Sequence, residues 1–154
     1  MAASHSASPN HHAWWAGIPG EEHVAKLDLS NYDALVANRN AFIMYFARWC
    51  GYSQNARAAF AATAAKFAKE GNSVLFGAVD CDDSKGICAR YQECITGFPS
   101  FVYLYAGGTK HQHLHPYRHS TRTLEAFHNW IIDLQTRQHE HEQEHKHHNV
   151  ASND

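Results

Sequence analysis

Residues 46–54 read Phe46-Ala47-Arg48-Trp49-Cys50-Gly51-Tyr52-Ser53-Gln54, and this stretch decides the fold. An apolar run over residues 41–47 leads into it and predicts a buried β-strand. An alanine-rich helical pattern over about 54–70 follows it. Cys50 therefore lies where a strand gives way to a helix. The unpaired amides of a helix N-terminus stabilise a thiolate, so this position predicts a reactive cysteine.

The composition is compatible with one domain that buries its own core. A length of 154 residues favours a single domain, and the formal net charge of −2 argues against a nucleic-acid partner. No apolar run approaches the ~20 residues of a membrane span. Residues 1–5 lack the basic and apolar regions of a signal peptide, so we expect a cytosolic protein or a mature or recombinant form. Four cysteines permit three full pairings, and the count does not choose among them.

The remaining sequence alternates between strand and helix patterns. Strands are predicted over residues 23–29, 41–47, 73–81, 100–106 and 109–117, with helices between them and a last helix capped by Thr123. Alternating elements that end in a hairpin imply an α/β fold, with a central mixed sheet flanked by helices on both faces. We predict a flexible N-terminal arm over 1–22 and a domain over 23–137. The His/Glu-rich tail over 138–154 is expected either to extend the last helix or to be disordered.

Trp49-Cys50-Gly51 at a strand-to-helix corner resembles the active site of the thioredoxin superfamily, and the order of elements matches the thioredoxin fold over roughly 23–136. The site looks most like the Trp-Cys-Gly-His-Cys of protein disulfide isomerase domains, with Ser53 in place of the second cysteine. The segment 97–100 is similar to the family's Gly-Tyr/Phe-Pro-Thr, whose proline is cis and faces the active-site cysteine. The resemblance implies a client-binding surface made of Trp49, Gly51, Tyr52, Phe98 and Pro99.

A second resemblance concerns two further cysteines. Val79-Asp80-Cys81, followed by Cys88 and Tyr91, resembles a segment of isomerase domains and of quiescin-type sulfhydryl oxidases. In those families the two cysteines close a small structural disulfide, which the resemblance implies for Cys81 and Cys88. Two buried thiols in a reducing compartment are the alternative. Cys94 lies in a stretch two residues longer than the family pattern, which assigns it no partner.

The chain departs from the family at the positions that support a second cysteine. Met44 stands where the family has a buried carboxylate that relays a proton, and Ala78 stands where a lysine often pairs with it. Losing both halves of such a pair is tolerated, whereas losing one strands a buried charge. The family's helix proline is replaced by Ala58. Arg122 occupies the place of an arginine that the family uses to tune protonation at the site.

The resemblance implies a protein disulfide isomerase-like domain that works with one thiol. Cys50, assisted by Ser53 and Arg122, would form mixed disulfides with client proteins that carry cysteines or disulfides. Glutathione or a client thiol would then release them. We expect slow exchange or client retention and poor oxidase activity, in the endoplasmic reticulum or outside the cell, and whether the protein is an enzyme stays open. The alternative is a redox-inactive peptide- or protein-binding module on the same scaffold.

The histidines suggest a third hypothesis. Among the fourteen histidines, His111, His113 and His115 alternate along the last predicted strand and would share one face. Three imidazoles can bind zinc or copper. The alternative is three solvated histidines at a sheet edge, in which case no cofactor is expected.

Overall fold

A five-stranded mixed sheet organises the described part of the chain. The computed structural model describes residues 7–107 and 113–152, and the side chains of the last helix as far as Glu144. A 3₁₀ turn spans Glu21–His23. The strands and helices are α1 Pro9–Trp15, β1 Ala25–Leu27, α2 Tyr32–Val36, β2 Ala41–Phe46, α3 Gly51–Lys69, β3 Leu75–Asp80, α4 Lys85–Ala89, β4 Ser100–Leu104, β5 Leu114–Tyr117 and α5 Leu124–Ser152. None of the described helices combines the length and the apolar character needed to cross a bilayer.

The strand order is β1-β3-β2-β4-β5 within the described residues. β3 runs parallel to β1 and β2, whereas β4 runs antiparallel to both β2 and β5. One core cluster packs α3 and α5 on one face of the sheet, and a second packs α2 and α4 on the other. This arrangement confirms the predicted α/β thioredoxin fold.

β2 is the centre of both cores, because its two faces are covered. All six of its residues are buried. Successive side chains point to opposite faces of a strand, so Phe42 and Met44 join the α3 side while Ile43 and Tyr45 join the α2 side. A strand buried on both faces needs a continuous apolar run rather than an alternating one, as the sequence has here.

The long helix begins earlier than the alanine pattern predicts. α3 starts at Gly51, with Cys50 as an extended N-cap residue at φ −82° and ψ 121°. Its other end is closed by Gly71 at φ +71°, and the Asn72 amide donates to the Phe67 carbonyl at 3.0 Å. This bond across a left-handed glycine is the Schellman motif, which satisfies carbonyls left over at a helix end.

Residues 7–22 differ from the flexible arm predicted over residues 1–22, and residues 1–6 lie outside the described ones. The α1 helix packs on the domain, with Trp15 fully buried and His11 buried beside it. The Ser8 hydroxyl caps the helix by accepting from the His11 amide. The polar and small residues of this segment favour a flexible arm, and its two tryptophans allow packing on the domain. The buried indole of Trp15 shows that the segment packs.

The C-terminal elements follow the prediction with changed limits. β5 spans Leu114–Tyr117 rather than 109–117, and the residues of the predicted hairpin from Gly108 to 112 lie outside the described ones. Thr123 accepts a hydrogen bond from the Ala126 amide at 3.1 Å, as its predicted role as a helix cap requires. α5 continues to Ser152, so the described part of the tail extends the helix.

A disulfide joins Cys81 at the end of β3 to Cys88 in α4, with their Cα atoms 5.8 Å apart. We expect the double variant Cys81→Ala/Cys88→Ala to lose about 2–3 kcal/mol of unfolding free energy, since the bridge restricts the unfolded chain. Chemical denaturation without reductant measures this loss. Adding a reductant should bring the wild-type protein down to the stability of the variant. Equal stabilities without reductant would show that the bridge does not stabilise the domain.

Candidate active site

Cys50 stands at the N-terminus of α3, where two free amides face its sulfur. Hydrogen bonds from the Ser53 amide, then from the Tyr52 amide and the Ser53 hydroxyl, lower the pKa of the Cys50 thiol below its ordinary value. The positive charge of Arg122 lowers this pKa further, while partial burial opposes the shift. The thiol is half-exposed and donates to the Phe98 carbonyl oxygen at 3.4 Å. Cys50 is thus an accessible sulfur with an environment that favours the thiolate.

Ser53 lies one turn into the helix and is fully buried. Its hydroxyl oxygen accepts a hydrogen bond from the Ala47 amide at 3.4 Å. The position that carries a second cysteine in isomerase domains therefore faces the interior, beneath Cys50. A serine there supplies a hydrogen bond to Cys50 but no second thiolate.

Met44 and Ala78 are neighbours across the sheet. They are register partners on β2 and β3, both are fully buried, and both belong to the core cluster on the α3 side. The two positions that the family resemblance assigned to a carboxylate and a lysine thus lie side by side and form one apolar contact. The described surroundings of Cys50 accordingly have no buried carboxylate at this point of the core.

The loop before β4 faces the thiol from the opposite side. The Phe98–Pro99 peptide bond is cis, Pro99 is buried and Phe98 is half-buried. The Phe98 ring meets the Trp49 ring edge-on, with centroids 6.3 Å apart. Trp49 and Phe98 therefore flank Cys50, and the role of this surface in binding a client stays a prediction.

Two aromatic side chains beside Cys50 are exposed to solvent. Trp49 is 69% exposed and Tyr52 is 71% exposed, and Gly51 between Cys50 and Tyr52 is exposed as well. The Trp49 indole N–H donates to Asp82 at 2.9 Å. Such rings combine large apolar area with polar edges, as is common where a protein binds another chain.

An ion pair that the sequence analysis missed fixes the loop in front of Cys50. The Arg48 Nε donates at 2.7 Å to Asp80, whose side chain is 1% exposed. The other oxygen of Asp80 accepts from the Asp82 and Asp83 amides. Arg48 and Asp80 are 32 residues apart in the chain, so their pairing could not be read from local sequence. The one hint of a role for Asp80 was its place in the Val79-Asp80-Cys81 motif.

Arg122 acts on Cys50 through its charge. Its guanidinium lies 5.8 Å from the centre of the Phe101 ring, and its Nε is buried without a hydrogen-bond partner among the described residues. Burial raises the pKa of Tyr117, and the charge of Arg122 opposes this shift. The predicted influence of Arg122 on the site is therefore electrostatic, and its contact is with Phe101.

The histidine hypothesis concerns a different part of the molecule. His113 and His115 line a cavity of about 670 Å³ beside β5 and α5, together with Trp130 and His141, and this cavity does not include Cys50. His111 lies outside the described residues. Among the described residues no group of three His, Cys, Asp or Glu is placed to hold a metal ion. Binding of zinc or copper through His111, His113 and His115 stays a prediction.

Cys94 is the second free thiol of the four cysteines, all of which are described. It is 8% exposed and lies in the core cluster on the α2 side. Burial raises the pKa of its thiol. Cys94 therefore behaves as a buried apolar residue, in contrast to Cys50.

Comparison with known proteins places these features in one family. The thioredoxin family model matches residues 23–132. The chain is 32% identical to protein disulfide-isomerase 1 of Dictyostelium discoideum over 91 residues, which cover 57% of this chain and 24% of that protein. It is 30% identical to human endoplasmic reticulum resident protein 44 over 90 residues, which cover 56% of this chain and 22% of that protein.

A solved structure supports the same assignment. The zinc-bound form of human ERp44 superposes with a TM-score of 0.62 at 27% identity, covering 71% of this chain and 30% of that one. The matched region is thus less than a third of each of these relatives. Because the family model covers most of the chain and the fold and site geometry agree with it, the chain belongs to the thioredoxin family and contains a domain like those of the protein disulfide isomerases.

Proposed function

We propose that this protein is a monothiol member of the protein disulfide isomerase group, which forms mixed disulfides with client proteins through Cys50. The observation that carries the proposal is the pairing of Cys50, an accessible thiol of lowered pKa at the start of α3, with a buried serine at position 53. A site of this kind has the attacking sulfur of an isomerase and lacks the sulfur that would release the client.

The reaction is thiol–disulfide exchange without net oxidation. The Cys50 thiolate attacks one sulfur of a client disulfide, so the client S–S bond breaks and a bond between Cys50 and the client forms. The departing client sulfur leaves as a thiolate and takes up a proton from water. Release requires a second thiolate, from the client or from glutathione, to attack the mixed disulfide and return Cys50. The domain would therefore hold clients until an outside thiol arrives.

The surroundings of Cys50 suit an extended client chain. Trp49 and Tyr52 offer exposed aromatic area on one side, and the Phe98 loop approaches on the other. In the free protein the Cys50 thiol donates a hydrogen bond to the Phe98 carbonyl oxygen. In a mixed disulfide, a bond to the client sulfur would replace this hydrogen bond. A client segment that presents a disulfide next to apolar residues fits this surface.

The proposed compartment is the lumen of the endoplasmic reticulum or the cell exterior. One of the relatives is named for residence in the endoplasmic reticulum, and the Cys81–Cys88 disulfide suits an oxidising environment. We also propose that glutathione in this compartment is a thiol that releases clients from Cys50.

Covalent capture tests the proposal directly. We expect the wild-type protein, mixed with a client that carries accessible disulfides and quenched with an alkylating agent, to form adducts that disappear under reduction. Cys50→Ala should abolish the adducts, and Cys94→Ala should leave them unchanged, because Cys94 is buried. The measurement is a non-reducing gel with mass spectrometry of the linked peptides. Adducts that persist in Cys50→Ala, or that fail to form in the wild type, would contradict a role for Cys50.

A redox-inactive binding module is a second candidate, favoured by the exposure of Trp49 and Tyr52. In that case client affinity would reside in the aromatic surface. Non-covalent binding of a cysteine-free client should then weaken in Trp49→Ala and remain unchanged in Cys50→Ala. Covalent capture and non-covalent binding are measured on the same clients, so the two candidates give different results.

A further inference from the structure

The inner face of α1 packs on aromatic side chains next to the Cys50 loop. Trp15 is fully buried against Phe46 and Phe60, and the Trp14 ring stacks on Phe46 with centroids 4.1 Å apart. The Arg57 guanidinium lies 4.8 Å from the centre of the Trp14 ring. We call Phe46, Phe60 and Arg57 the α1 contact surface. Phe46 ends β2, the strand that leads directly into the loop carrying Cys50.

Two polar atoms on this inner face are buried without partners. His11 is 2% exposed and meets the Phe46 ring edge-on at 5.2 Å. The His11 Nε2 and the Trp15 indole Nε1 have no hydrogen-bond partner among the described residues. A buried polar atom without a partner weakens the packing that holds it. The α1 helix therefore combines a strong aromatic anchor with an unfavourable pair of polar atoms.

Charged groups surround His11 from three directions. The basic groups are His12 on α1 and Lys26 on β1. The acidic groups are Asp28 after β1, Asp80 at the end of β3 and Asp83 in the following loop. Asp80 is bonded to Arg48, and Asp83 accepts from the Ser8 hydroxyl and faces Arg48 at 3.7 Å. None of these carboxylates bonds to His11 in the described structure. Protonated His11 would thus be buried with no acceptor for its Nε2–H among the described residues.

We propose that α1 is a pH-sensitive cover over the α1 contact surface, docked at neutral pH and released in acid, with His11 as the titrating group. The inference does not depend on the chemistry of Cys50. Ser8, at the start of α1, also bonds to Asp83, so release would break a tie to the loop that pairs with Arg48. It would also expose Phe46, Trp14 and Trp15, adding apolar surface beside the Cys50 loop.

The direction of the effect follows from the two protonation equilibria. Burial, then the charges of His12 and Lys26, lower the pKa of His11 from an ordinary 6.5 to about 4, against the opposing effect of Asp83 and Asp28. A lowered pKa in the docked state means that docking is stabilised above pH 6.5 and loses this stabilisation as the pH falls towards 4. The undocking equilibrium should rise by roughly 70-fold between pH 7.5 and pH 4.5, with a limit of about 300-fold at lower pH.

Hydrogen exchange of the full chain tests this proposal. Protection factors, corrected for the intrinsic exchange rate at each pH, are measured for the amides of α1 and of β2 at pH 7.5 and 4.5. We expect α1 to lose on the order of 70-fold in protection while β2 keeps its own, because the opening is local. In His11→Phe, whose ring cannot be protonated, the loss should be below about threefold. In His12→Phe, on the exposed side of the same helix, most of the loss should remain, and it should be smaller than in the wild type because the charge of His12 contributes to the lowered pKa of His11.

A titration of His11 by NMR in the wild-type protein supplies a test that needs no variant. The His11 ring should titrate well below 6.5, and its titration should coincide with the change in the Trp15 indole signal. A His11 ring that titrates near 6.5 in the folded protein would overturn the proposal. Equal losses in wild type and His11→Phe, or a parallel loss in β2, would also overturn it, since they would mean acid unfolding that does not involve His11.

Discussion

Replacing Ser53 with cysteine is expected to shorten the life of a mixed disulfide between Cys50 and glutathione by about 100-fold or more. The physical reason is effective concentration. A thiol one turn further along α3 attacks within the same molecule, at an effective concentration on the order of millimolar or above. Free glutathione kept at ~10 μM is a thiol concentration roughly 100 times lower than this effective concentration. In the wild type only the free thiol is available, so the adduct should persist.

The measurement is the decay of the adduct by mass spectrometry after mixing with oxidised glutathione and acid quenching. Ser53→Ala is the matched control, because it removes the hydroxyl without adding a thiol and should keep the adduct long-lived. A wild-type adduct as short-lived as that of Ser53→Cys would show that another group, such as Cys94, resolves the disulfide. Ser53→Ala also tests the hydroxyl, since losing its hydrogen bond should raise the pKa of Cys50.

Introducing a carboxylate with Met44→Glu is expected to lower the free energy of unfolding by about 3–5 kcal/mol at neutral pH. Met44 is fully buried, and its partner across the sheet is Ala78. The new carboxylate would have no cation there, so its ionised form would be an uncompensated buried charge. Met44→Leu, which conserves volume and polarity, should cost less than about 1.5 kcal/mol.

The pH dependence of this loss distinguishes charge from packing. Burial raises the pKa of a carboxyl group above its unfolded value. Relative to Met44→Leu, Met44→Glu should therefore be least destabilised in acid and should lose further stability as the pH rises through its folded pKa. Chemical denaturation at pH 5 and pH 8 measures the difference. A loss independent of pH would mean that the carboxylate reaches water or a cation and that the site is not apolar.

Adding Ala78→Lys to Met44→Glu tests whether the two positions form a pair. The side chains would face each other across neighbouring strands. The double variant should therefore lose less unfolding free energy than the two single variants lose together. The lysine also overfills a core that contains Phe42, Phe60 and Phe76, and overpacking costs about 1–3 kcal/mol. The double variant should therefore remain less stable than the wild type.

Local chemistry explains which features could be predicted from the sequence. The apolar run of β2, the cap at Thr123 and the position of Cys50 at the start of a helix each depend on residues close together in the chain. Their physical causes are burial periodicity, capping and the unpaired amides of a helix end. The start of α3 was predicted three residues late, because Gly51 and Tyr52 are weak helix formers whose conformation is set by the Cys50 cap.

The N-terminal segment shows what local reasoning missed. The residues around Trp14 and Trp15 are small or polar, which favours a flexible arm. The contact surface that orders them consists of Phe46, Phe60 and Arg57, which are distant in the chain. Composition cannot reveal such a surface, because the apolar area that α1 buries exists only after the sheet and α3 have packed.

The sequence by itself determined which residues form the Cys50 site: one cysteine at position 50, a serine at position 53 and a methionine in place of a carboxylate at position 44. These are residue identities, and folding does not change them. The tertiary structure decided how that sulfur is surrounded. The Phe98 carbonyl lies 48 residues along the chain from Cys50, and Asp80 lies 32 residues from the Arg48 that it holds. Such contacts form only when separate strands and loops meet at the end of the sheet, so their distances and the unpartnered burial of His11 depend on packing across the whole domain.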